Sequence, residues 1–168
     1  FTHLPLPGFR RMIAMNIAAM NHALRNIPEE QVRIHLCWGN YPGPHHRDVP
    51  LADIADLVWQ AKAQTIVLEG ANPRHAHEYA FFGENPLPDG KVRCPGMIEP
   101  QSPYIEHPEL IAQRIGRYAD LLGRERVMAG VDCGFSVHAG SGNLDPEVVW
   151  AKLAALTEGA GIASARYW

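Results

Sequence analysis

His35 and Cys37 stand two residues apart in the apolar run Val32-Arg-Ile-His-Leu-Cys-Trp38, and Cys133 closes a second such run in Val131-Asp-Cys-Gly134. Residues i and i+2 of a strand project from the same face, so His35 and Cys37 point together. Imidazole nitrogen and thiolate sulfur are zinc donors. A catalytic zinc site uses three protein ligands and keeps the fourth position for water or substrate. One His and two Cys match that count. A substrate thiol entering the open position would be favoured as thiolate, the nucleophile that alkyl transfer needs. Spacing alone leaves a second reading open, in which His35 and Cys37 belong to a buried strand and Cys133 merely packs, since free cysteine is among the most buried residue types.

Further polar residues follow the second apolar run, Thr65-Ile-Val-Leu-Glu69. Glu69 falls at the end of that strand. Asn72, Arg74, His75 and Glu78 come just after it, where the polar end of a substrate would bind, and arginine suits a carboxylate or sulfonate. The same four residues also read as a capped, charged helix start. His45, His46, His75 and His77 form pairs, but loop and helix histidines are more often solvated or in contact with substrate than metal-bound. Cys94, just before Pro95, reads as buried structure. Asp132 points away from Cys133 in a regular strand, yet is placed to orient a ligand through a hydrogen bond.

These residues need elements to carry them. Phe9, Met12, Ile13, Ile17, Met20 and Leu24 recur at helical spacing and predict an amphipathic helix. Strands are predicted over 32–38, 65–69, 92–98 and 126–132. Between them lie a helix marked by Leu51, Ile54, Ala55, Leu57 and Val58, a short helix over 72–82 with Asn72 as cap, and a helix over 108–122 with Leu110, Ile111, Ile115, Tyr118 and Leu121 inward. Asp145-Pro-Glu opens the last helix with a cap, a first-turn proline and a Leu144 to Val149 staple. One leading helix and four strand-to-helix units imply a parallel sheet with helical crossovers, with the chemistry-bearing residues at the strand ends. A complete eight-unit barrel takes about 200 to 250 residues or more. The expectation is therefore a single α/β domain over 1–168, the C-terminal half of a (β/α)8 TIM barrel.

A net charge of -3, with both signs mixed along the chain, offers no basic stripe to a phosphate backbone. Nucleic acid is not an expected partner. Neither is a membrane, since no apolar run reaches the roughly 20 residues a spanning helix needs. The N-terminus lacks a signal-peptide pattern, and the three cysteines are too few and too unevenly spaced for a disulfide framework, so a cytoplasmic location is expected. The start at Phe1, without Met, suggests a trimmed chain or lost upstream sequence.

His35-Leu-Cys37, Glu69 after an apolar strand, Pro95-Gly-Met-Ile-Glu-Pro100 and Asp132-Cys-Gly-Phe135 together resemble the C-terminal catalytic domain of cobalamin-independent methionine synthases. The fuller strings His35-Leu-Cys-Trp-Gly-Asn-Tyr-Pro-Gly-Pro-His45 and Asn72-Pro-Arg-His-Ala-His-Glu78 look more like the shorter single-barrel members, which include the epoxyalkane:coenzyme M transferases. The resemblance runs from about His35 to Trp168. It implies Zn2+ held by His35, Cys37 and Cys133, with Glu69 at the place of the zinc-ligating glutamate of the methionine synthases. It further implies methyl or alkyl transfer to a thiol such as homocysteine, from a donor of the methyltetrahydrofolate (methyltetrahydropteroyl-glutamate) type. Epoxyalkane:coenzyme M transferase-like thiol alkylation is the first alternative. The second is a non-catalytic zinc-binding half-barrel that covers its open sheet edges by pairing with itself, as a homo-oligomer completing the barrel, or with another chain. Zinc-dependent hydrolysis would need a general base, for which the sequence offers no candidate.

Overall fold

The computed structural model describes residues 4–138, 140–142 and 144–168. Helix α1 (Leu6–Ala23) starts on Pro5 with a proline in its first turn, three residues before the predicted Phe9, because proline's fixed φ suits a helix start. Its face of Phe9, Ile13, Ile17 and Met20 packs on the core, yet no α1 residue is fully buried. Strands β1 (Arg33–Leu36), β2 (Thr65–Leu68), β3 (Val92–Ile98) and β4 (Gly130–Val131) form one parallel sheet in the order β1-β2-β3-β4. Helices α3 (Pro108–Leu122) and α4 (Pro146–Tyr167) pack closely on each other. Gly159 admits the contact, since a Cβ there would lie 2.6 Å from Ile111 Cβ. Asp145 caps α4, its carboxylate accepting from Glu147 N–H as expected.

Several expectations need correction. The predicted helix over 51–58 is split at Ile54 into a 3-10 turn, Leu51–Asp53, and a four-residue helix α2, Ala55–Val58. The segment after Asn72 keeps the cap, because Asn72 Oδ1 accepts from Arg74 and His75 N–H, but it continues as a 3-10 helix, Ala76–Gly83. Leu110 and Leu121 do not point inward; they are 37% and 39% exposed, while Ala112, Gly116 and Ala119 take the buried stripe. The fourth strand is two residues long instead of seven. Proline explains part of this. Arg93 C=O accepts from Met128 N–H on the β4 side, and residue 95 faces the same way two positions on, so the missing N–H of Pro95 falls on that ladder. Pairing is interrupted there, between the Arg93/Val127 bridge and the Gly96/Gly130 pair. A small antiparallel hairpin, β5 (Ser136–His138) with β6 (Ser141–Gly142), follows Cys133 unforeseen.

The register fixes two faces. Ile34, Ile66 and Arg93 align across one, and His35, Val67 and Cys94 across the other. The first is covered by helices, with Ile66, Leu68, Met97, Ile98, Ile111 and Ile115 at its centre. Arg93, 1% exposed, is held within it by the carbonyls of Ile66, Leu68, Glu69 and Cys94 and lies over the Tyr118 ring. The second face would line a closed barrel's interior, and along β1 it is open, with Arg33 and His35 exposed. Four parallel strands curled under helices make half of a β/α barrel, as the alternation predicted.

Candidate metal centre

His35 lies in β1, and Cys37 one residue past its end, on the same face. Cys133 comes two residues after β4, at the far edge of the sheet. Curling of the sheet brings the ends of β1 and β4 together. The imidazole nitrogen of His35 and the sulfurs of Cys37 and Cys133 all lie within 4.8 Å of one another, the one such His/Cys/Asp/Glu group among the described residues. The two sulfurs are 4.0 Å apart, which is not a disulfide. Two thiolates on one tetrahedral zinc would stand about 3.8 Å apart for Zn–S bonds of ~2.3 Å. The trio therefore fits a zinc ion in donor type, number and spacing. Burial pushes the Cys37 thiol up to about 11, with Cys133 beside it adding to the shift, and burial lowers His35. Both shifts favour neutral side chains when no cation is near.

Glu69 lies outside the group of three. Its Oε1 accepts from Trp38 N–H at 2.9 Å, its Oε2 accepts from Asn72 Nδ2 at 2.6 Å, and Arg74 approaches to 3.7 Å. Asp132 is buried, its two oxygens accepting from the N–H groups of Gly70, Ala71 and Asn72 and from Asn72 Nδ2, all at 2.8 to 2.9 Å. Burial pushes its carboxyl above the usual range, and these donors pull it back. Cys94 packs as structure, its sulfur so close to Gly130 that a Cβ there would lie 2.8 Å away.

His75 and Glu78 are largely committed within the protein. His75 faces carboxylates on both ring nitrogens, Glu78 and Asp48, each at 3.0 Å, and stacks on Trp38 with ring centroids 4.1 Å apart. Burial pulls the His75 imidazole down, but these two carboxylates outweigh it and its pKa stands above the ordinary value. Glu78 also accepts from Leu51 N–H. Arg74 keeps part of its side chain exposed on a polar cleft of about 150 Å³ that His45, His46 and His77 also line. A larger cavity of about 360 Å³ adjoins Cys37, lined by Phe9, Ile13, Leu36, Trp38 and Val49 among others. Sequence reasoning overlooked Trp38, Asp48 and Asn40, whose Nδ2 donates to Gly134 C=O across the two cysteine-bearing loops. Asn40 and Asp48 sit in a loop rich in Gly and Pro, where no periodicity marks a contact.

No family model matches the chain. It is 25% identical to 2-hydroxypropyl-CoM lyase of Xanthobacter autotrophicus over 89% of its length and 24% identical to methionine synthase of Thermococcus kodakarensis over 89%. It spans less than half of either relative, 45% and 38%. A B12-independent methionine synthase from a Shewanella species, solved with selenomethionine, superposes with a TM-score of 0.69 at 21% identity, covering 95% of this chain and 47% of that one. The chain has the half-barrel fold of a cobalamin-independent methionine synthase. The relatives are named as enzymes, and no helix among the described residues is long and apolar enough to cross a membrane.

Proposed function

We propose that the chain carries the metal-binding half of a zinc-dependent S-alkyltransferase barrel, with methyl transfer to a homocysteine-like thiol from a methyltetrahydrofolate-type donor as its leading reaction. One observation carries the reading: the convergence of His35, Cys37 and Cys133 within 4.8 Å at the strand ends. Zinc held there would supply an open position in which a substrate thiol is stabilised as thiolate near neutral pH. The chain's own part is to hold two cysteines and one histidine in a fixed triangle and to offer polar groups beside it. Transfer itself is an in-line displacement: the sulfur–carbon bond forms as the donor's carbon–leaving-group bond breaks. Arg74, still partly exposed, is the group that would meet a substrate carboxylate, with Asn72, His75 and Glu78 behind it. Free thiols in all three cysteines suit a cytoplasmic location.

A second reading, alkylation of a coenzyme M-type thiol by an epoxyalkane, is supported by the similarity to 2-hydroxypropyl-CoM lyase and by the cavity beside Cys37, whose lining is largely apolar. The open inner face of β1 supports a requirement for further strands, from a second copy or another chain, before turnover.

The test is metal content of the purified protein. One zinc per chain is expected for the wild type and for Cys94→Ser, and none for Cys37→Ser or Cys133→Ser. Stoichiometric zinc in both of the latter would remove the assignment.

A further inference from the structure

Cys37 and Cys133 lie 96 residues apart in sequence on opposite edges of the sheet, yet their sulfurs approach to 4.0 Å. Besides the curl of the sheet and the Asn40 to Gly134 bond, a hydrogen-bond path through buried side chains joins the two loops. Trp38, next to Cys37, donates its N–H to Glu69 Oε1 at 2.9 Å. Asn72 Nδ2 then reaches both Glu69 Oε2, at 2.6 Å, and Asp132 Oδ2, at 2.8 Å. Asp132 is the residue before Cys133, and it is clamped by the N–H groups of Gly70, Ala71 and Asn72. Glu69, Asn72 and Asp132 are 5%, 2% and 2% exposed, so water does not compete for these bonds.

We infer that Glu69, Asn72 and Asp132 are positioning residues that form a buried strut setting the Cys37–Cys133 separation. The amide of Asn72 is the joint. Only an amide presents an NH2 group to two carboxylates while its oxygen caps Arg74 and His75, so a carboxylate or an alkyl group at 72 breaks the path. Glu69 acts on the site through the backbone of Trp38. The inference rests on the proposed metal site for its purpose, and on the two thiols alone for its geometry.

Two probes separate these. Phenylarsine oxide captures paired thiols, forming two As–S bonds and releasing one water, and needs no metal. Cobalt(II) reports the ligand set through thiolate charge-transfer and d–d bands. Asn72→Asp keeps the capping acceptor and reverses the donor. It should lower cobalt affinity roughly 10- to 100-fold, the range for loss of a group that orients a ligand. Band positions should stay put, because the ligands are unchanged, and arsenical capture should weaken in parallel. Adding Glu69→Gln to Asn72→Asp returns a donor opposite the new carboxylate and should recover part of both losses. Ile111→Val, a core change away from the site, should alter neither. Asn72→Asp matching Ile111→Val on both probes would overturn the strut, as would a wild type that fails to capture the arsenical. Arsenical capture that weakens in Asn72→Asp but not in Ile111→Val, in a protein whose wild type binds no cobalt, would uphold the strut and overturn the metal site.

Discussion

Replacement of Gly96 by alanine tests how far the site depends on one close approach in the sheet. A Cβ at position 96 would fall 1.8 Å from Asp132 Oδ1 and 2.6 Å from both Asp132 N and Cα. Two of those atoms are backbone, so no change of rotamer relieves the clash. An ordinary carbon contact lies near 3.5 Å, so β3 and the segment carrying Asp132 must part by roughly 1 Å. Asp132 accepts four hydrogen bonds at 2.8 to 2.9 Å, and a displacement of that size carries them beyond useful length. Overpacking alone costs about 1–3 kcal/mol. Each bond to a charged group is worth about 1.5–3 kcal/mol; with partial relaxation the expected loss is about 3–5 kcal/mol. That is a large share of the ~5–15 kcal/mol that stabilises a typical domain. Urea denaturation measures it, with Gly161→Ala as a control of opposite sign. Gly161 is exposed in α4 with nothing within 4 Å of a Cβ, so alanine there should stabilise by up to ~1 kcal/mol. A Gly96→Ala protein within about 1 kcal/mol of wild type would refute the reasoning.

Two further outcomes follow from charges the fold has buried. Lys152, 0% exposed, meets Glu106 Oε2 at 2.7 Å, and Glu106 in turn accepts from Glu99 N–H. Lys152→Met should cost about 3–5 kcal/mol by stranding the carboxylate, and the Lys152→Met/Glu106→Leu pair should recover most of it; a urea series on the single and double variants checks this. His75 stands above its ordinary pKa, so its contribution is present in full below the unfolded value near 6.5 and is lost as pH rises through the folded one. Thermal unfolding from about pH 5 to about pH 9 should therefore show the gap between wild type and His75→Gln narrowing as pH rises, and a constant gap would contradict it.

Local signals in the sequence carried the alternation of elements well. Asp145-Pro146 and the 3.6-residue spacing in α3 act within one turn, so they survive without knowledge of the rest of the chain. What failed depended on partners distant in sequence. Leu110 and Leu121 fit the helical stripe but lose their place to Ala112, Gly116 and Ala119, because α4 packs too close for large side chains. The fourth strand shortens in part because of a proline in its neighbour. In the site, residue type and the i, i+2 spacing raised His35 and Cys37 as a candidate pair but left a buried-strand reading open, and the family resemblance supplied the preference between them. The sequence could not show that Asn72 and the loop around it would spend their polar atoms on Asp132, since those bonds join segments 60 residues apart. Asp132 was read as a support for a ligand, and its contacts run to the loop after β2, away from the imidazole and the thiols.

The two faces of the sheet divide the chemistry between what this half-barrel can do and what it leaves to other elements. Its helix-covered face is closed: Ile66, Met97, Ile98 and Ile111 are fully buried, and the two terminal nitrogens of Arg93 donate to four carbonyls. Metal affinity depends on ligand type and fixed separation, and all three candidate ligands and the strut between their loops lie on this chain. Displacement at carbon asks for more, because a thiolate shared with bulk water is a weaker nucleophile than one in a dry, shaped cavity. His35 is exposed on the open inner face of β1. Under the proposed function, metal binding and turnover are therefore separable: the first would rest on the ends of β1 and β4, and the second on a surface that closes over His35. If His35, Cys37 and Cys133 hold zinc as proposed, the expected behaviour is one zinc bound per chain, with slow or no turnover until such a surface is supplied.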